Sequence, residues 1–213
     1  MYHLRRSLVL PALAVLALAG CAAGGGGGAA DAPASAASEE AENPMTPTDE
    51  PLGISPTRPT GDAVDPVKGL TLTLPGGTEE ESSKEESGLT TVVYRLPGGD
   101  AASGLPVIQV QSDDGGRDLT EETYTQQQAL VGAGINSDVH RSAETWPGAA
   151  EAMALTWTQA VEEDGGGSHA NDVFWLWLVD EQGRGYNVMA VAPEGELEPG
   201  SETYDAVLSA TLG

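Results

Sequence analysis

The chain has 213 residues, with nine basic and 33 acidic side chains and a formal net charge of −24, and this length fits one or two domains. Such a charge keeps a domain soluble and self-repelling. It excludes the clustered Lys and Arg that nucleic-acid phosphates require, and it argues against the folded part itself lying on an anionic bilayer. A lone cysteine, Cys21, excludes an internal disulfide.

Residues 1–20 hold Arg5 and Arg6, then an apolar run from Leu8 to Leu18, then small Ala19 and Gly20 before Cys21. A positive start, a short apolar stretch and small residues are the layout of a secretory signal peptide. The apolar run is too short for a spanning helix, which takes roughly 20 residues. The sequence Leu18-Ala19-Gly20-Cys21 resembles the lipobox of bacterial lipoproteins. The resemblance implies lipid transfer to the Cys21 thiol, cleavage between Gly20 and Cys21, and anchoring at the extracytoplasmic face of the cell membrane. Two acyl chains suffice for stable anchoring, where one is marginal.

Residues 21–66 read as a tether. They contain no Phe, Tyr or Trp, open on Gly24 to Gly28 and continue in Ala, Ser, Pro, Thr, Asp and Glu. Low hydrophobicity and negative charge leave little to offset the entropy of ordering, so a disordered linker is expected. Stretched out, 45 residues reach about 150 Å. Folding of the segment onto a partner is the alternative. Thr46 and Thr48 beside Pro47, in the run Pro44-Met45-Thr46-Pro47-Thr48, also suit O-glycosylation.

From residue 67 the pattern is that of a folded domain. Leu70, Leu72 and Leu74 alternate with Thr as a half-buried strand does, and Pro75-Gly76-Gly77 ends it. Glu79 to Glu86 reads as an acidic loop. Leu89 to Leu96 and Pro106 to Gln111 predict two more strands. A helix follows, with Thr120 as N-cap and an end near Val131, before Gly132 and Gly134. Val139 to Thr145 predicts a short strand, and Trp146-Pro147-Gly148 a turn. Ala150 to Val161 alternates, with Met153, Leu155 and Trp157 on one side. Residues 162–171 read as a loop. Asp172 to Val179 is apolar on both sides, which suits a central strand covered on both faces. A hairpin turn leads to Tyr186–Ala192. A last helix is capped by Ser201, with Tyr204, Val207, Leu208, Thr211 and Leu212 at helical spacing.

The order β-β-β-α-β-β-β-β-α predicts an α+β domain with a largely antiparallel sheet. This order, with the segments LTLTLPGGTEEES, GAAEAMALTW, FWLWLVDEQGRGYNVMAVA and YDAVLSATLG, resembles the PsbP-like fold of the LpqN-type lipoproteins of actinobacteria. In that family an aromatic residue often follows the Pro-Gly of the first strand, where this chain has Thr78. The resemblance implies a binding or scaffolding fold without a shared active site, and a fold by itself does not set function.

The chain contains no G-x-S-x-G, H-E-x-x-H, P-loop or G-x-G-x-x-G. His140 and His169 lack the additional ligands, at fixed spacing, of a metal site. Asp113, Asp114 and Asp118 do not have the spacing of an EF-hand. No cofactor is expected. The tryptophans carry more information. Trp175 and Trp177 share one face of a strand, opposite Phe174, and that face suits a core or a pocket beneath a helix. Trp146, in a turn, suits either an exposed contact or a lid over the end of the sheet. The expected function is therefore a non-enzymatic, lipid-anchored envelope protein whose domain binds another protein. A carrier of a lipid or other apolar ligand, using Trp175 and Trp177, is the alternative, and an envelope hydrolase a more remote one.

Overall fold

The computed structural model describes residues 43–100, 104–162 and 166–213. Gly20, Cys21 and the tether up to residue 42 lie outside the described residues. The strands are β1 (Asp62–Val67), β2 (Leu70–Leu74), β3 (Glu79–Glu86), β4 (Leu89–Asp100), β5 (Leu105–Asp113), β6 (Asn136–Glu144), β7 (Ala149–Glu162), β8 (Ser168–Asp180), β9 (Gly185–Pro193) and β10 (Thr211–Leu212). The helices are α1 (Leu119–Gly132), between β5 and β6, and α2 (Glu202–Leu208), between β9 and β10. The fold is α+β, with antiparallel pairing throughout.

Seven strands form one sheet in the order β3-β4-β5-β9-β8-β7-β6, and a smaller sheet has the order β1-β2-β10. Strand β8 has the two apolar faces its sequence predicts, because it lies between two cores. Phe174, Leu176 and Leu178 point into a core shared with β2, β4, β5, β9 and α2. Val173, Trp177 and Val179 point the other way, into a core shared with β7 and with Leu119 and Leu130 of α1. Alternation along the strand assigns each side chain to its layer.

The structure changes several expected boundaries. Glu79–Glu86 is a strand, not a loop, and every residue in it is exposed. As an edge strand it needs only one neighbour, and its charges discourage a second. The N-cap of α1 is Asp118, whose Oδ1 accepts the Glu121 N–H at 3.1 Å, rather than Thr120. Strand β8 begins at Ser168, inside the expected loop. Helix α2 has the expected Ser201 cap but ends at Leu208. Ser209 Oγ accepts the Thr73 N–H at 2.8 Å and donates to Ala206 O at 2.6 Å, and the chain then leaves the helix to pair β10 with β2.

The largest correction concerns the tether. Residues 43–66 were expected to be disordered, but β1 starts at Asp62 and residues 43–61 lie against the domain. Ile54 packs on the main core. Thr57 N–H donates to Leu208 O at 2.9 Å, and Thr57 Oγ1 to Asp205 O at 2.8 Å. Pro66 is tolerated because β1 is an edge strand.

Candidate interaction surface

Strand register lays out the face of the large sheet that carries the tryptophans. One row runs Val93, Gln109, Met189, Trp175, Leu155, Arg141 from β4 to β6. A second runs Arg95, Val107, Val191, Val173, Trp157, and a third Thr91, Gln111, Asn187, Trp177, Met153, Ala143. Helix α1 packs over β6 and β7 and meets β8 only marginally. The β6–β7 part of the face is therefore core, and Asn187 and Met189 of β9 are buried with it; the less covered part lies on β4, β5 and the Val191 end of β9. There Val93, Val107, Gln109, Gln111 and Val191 are all half-buried.

Trp175 stands at the boundary between the two parts. It is half-buried, whereas Trp146, Trp157 and Trp177 are 3%, 6% and 5% exposed. Its ring centroid lies 4.4 Å from that of Trp177 and 6.2 Å from that of Trp157, with tilted planes in both pairs, a range in which aromatic rings attract. These contacts hold the indole, which stays only partly covered. The Nε1 atoms of Trp157 and Trp177 are buried and have no hydrogen-bond partner.

Two arginines flank the surface. Arg117 lies over the Trp177 ring at 5.7 Å and pairs with Asp113 and with Glu122, the latter at 3.1 Å. A Cβ added at Gly185 would stand 2.7 Å from Arg117 Cδ, so the missing side chain of β9 is what lets Arg117 lie there. Burial raises the Glu122 carboxyl above its ordinary range, a shift that the Arg117 charge opposes. At the other end Arg95 holds Glu79 at 2.7 Å and Glu81 at 3.0 Å.

Trp146 is not a contact residue. It is buried, its Nε1 donates to Ala210 O at 3.1 Å, and it belongs to the main core. It serves as the lid, because the chain beyond α2 returns over the turn. His140 lies on β6, with Nδ1 3.7 Å from Asp49 Oδ2 and a buried Nε2 that has no hydrogen-bond partner. His169 is exposed on β8. Among the described residues no three His, Cys, Asp or Glu side chains gather as metal ligands. An open depression of about 450 Å³ is lined by residues including Lys68, Gly69 and Arg184, and another of about 270 Å³ by residues including Arg58 and Pro147. Neither includes a tryptophan.

No family model matches the chain, and no curated protein does. A crystal structure of a protein from Bacteroides thetaiotaomicron VPI-5482, at 1.50 Å resolution, is similar at 10% identity with a TM-score of 0.44. The match covers 72% of this chain and 48% of that protein, so the chain spans about half of its length. Among the described residues no helix is long and apolar enough to cross a membrane.

Proposed function

We propose that this chain is a PsbP-like lipoprotein of the bacterial cell envelope, held at the membrane by lipid on Cys21, whose domain is a non-enzymatic docking module for another protein. The observation that carries the docking reading is the half-buried Trp175, beside a sheet face that α1 leaves less covered over β4, β5 and the Val191 end of β9. A rigid aromatic residue in an apolar setting, with polar groups around it, is the composition of an interface hot spot. Val93, Val107 and Val191 supply the apolar setting. Gln109, Gln111 and Arg95 supply polar groups that a partner's backbone or side chains can meet. The domain's acidity favours a partner with a basic rim, drawn in by long-range attraction.

The close packing of Trp157, Trp175 and Trp177 weighs against the carrier reading, which needs a cavity of about 300 Å³ or more on that face. Two experiments address the two halves of the proposal. Radioactive palmitate should label the wild type and not Cys21→Ala, and equal labelling would remove the anchor. Chemical cross-linking in intact cells should give a discrete adduct that Trp175→Asp abolishes. An adduct that survives this substitution would place the interface elsewhere.

A further inference from the structure

The two edges of the seven-stranded sheet are closed in different ways. Strand β3 carries five glutamates and is fully exposed, and charge on an edge deters pairing. Strand β6 is covered instead by residues 43–53. Asp49 Oδ2 accepts the Arg141 peptide N–H at 2.8 Å. That N–H faces outward from the sheet, where a further strand would bind. Leu52 N–H donates to Glu144 Oε1 at 2.8 Å. The Arg141 guanidinium, in a side chain 2% exposed, donates to Met45 O and to three groups of α1: Thr120 O at 3.1 Å, Thr123 Oγ1 at 3.1 Å and Gln127 Oε1 at 3.1 Å.

The hydrogen bonds of this attachment are its main contacts, and of its apolar side chains Met45 and Pro47 are only partly covered. Residues 43–53 include no buried side chain, and Leu52 is 37% exposed. They pair with no strand. The first side chain of this stretch to pack on a core is Ile54, and beyond it Thr57 is bonded to α2. The covering segment therefore has a firm hinge at its C-terminal end and mainly hydrogen bonds along its length. With no fully buried apolar side chain, such a segment opens at far lower free energy than the core.

We propose that residues 43–53 form a latch that closes the β6 edge and releases as a unit while the domain stays folded. Release bares the outward Arg141 N–H, so β6 becomes an edge open to strand addition. It also frees 11 residues of chain, which adds about 36–40 Å of reach. Only the meaning of that reach rests on the lipoprotein reading. The latch itself depends on neither lipid nor partner, so either idea can fail without the other.

The test is residue-resolved amide exchange on the full-length protein. Three amides serve as reporters: Arg141 and Leu52, bonded across the latch contact, and Leu176, in the fully buried centre of β8. The expected result is that Arg141 and Leu52 exchange at least about a hundredfold faster than Leu176. Asp49→Ala should then speed both by about tenfold and leave Leu176 unchanged. The latch is overturned if all three amides exchange at one common rate in the wild type. It is overturned equally if Asp49→Ala speeds Arg141 alone or changes neither reporter.

Discussion

Asp49 Oδ2 and the Arg141 peptide N–H meet at 2.8 Å across 92 residues of chain. The contact joins a segment whose composition is that of a linker to the edge of the main sheet. It also puts a carboxylate next to a strand whose one arginine is buried. Burial lowers the Arg141 pKa, and the nearby Asp49 charge opposes the shift. Arg141 thus holds together three pieces: β6, α1 and the incoming chain.

Replacing Arg141 tests that junction. Arg141→Ala leaves Thr120 O, Gln127 Oε1 and Met45 O without their donor, and an orphaned buried polar group costs about 1–3 kcal/mol. The expected loss is about 2–4 kcal/mol, because hydrogen bonds from a charged donor contribute about 1.5–3 kcal/mol and the packed Arg stem adds to it. Urea unfolding should show it as a lower midpoint with an unchanged slope. A loss below about 1 kcal/mol would mean that the junction contributes little.

Trp146 gives a cleaner separation of ring from hydrogen bond. Trp146→Phe keeps most of the apolar volume but leaves the buried Ala210 carbonyl unpaired. The expected cost is about 1–3 kcal/mol, read as a lower thermal midpoint. Partner cross-linking should be unchanged, because Trp146 lies in the core rather than on the proposed docking face.

Asp180 predicts a response to acid. Burial alone pushes its carboxyl up. The backbone N–H groups of Arg184 and Gln182, the Tyr186 hydroxyl and the Arg184 charge outweigh burial and hold it below its ordinary value. A carboxyl with a lowered folded-state pKa contributes stability that is fully present above the unfolded value, about 3.9. That stability fades as pH falls through the folded-state value. Stability should therefore drop below about pH 4, and Asp180→Asn should flatten this drop while lowering stability at pH 7. Denaturant midpoints measured from pH 2 to pH 7 in both proteins check the sign.

Trp175 and Trp177 are two residues apart and should behave differently. Trp177 is buried beneath Arg117, and Trp177→Ala should cost about 3–5 kcal/mol. Trp175 is half-buried, so Trp175→Ala should cost less and weaken partner binding instead. Paired unfolding curves and in-cell cross-linking yields separate the two effects.

Much of this arrangement was legible in the sequence. The run from Phe174 to Leu178 announced a strand with two cores, and Ser201 announced the start of α2. The i, i+2 spacing put Trp175 and Trp177 on one face. Other features left no apolar signal to read. Strand β3 is held by backbone pairing with β4 and by Arg95, so its own side chains need bury nothing. Residues 43–53 are held by polar contacts with Arg141 and Glu144, whose positions only the folded sheet defines. The burial of Trp146 depends on the chain after α2 turning back as β10, which helical spacing through Leu212 concealed.

The central claim is that the sheet face around Trp175 docks another protein. It is tested most directly by a photo-crosslinking residue placed at Val107 in the full-length protein in its own cells, with Thr211 of β10 as the control position. The account predicts one discrete adduct from Val107, lost when Trp175→Asp is added, and none from Thr211. Equal adducts from both positions, or a Val107 adduct indifferent to Trp175→Asp, would contradict it.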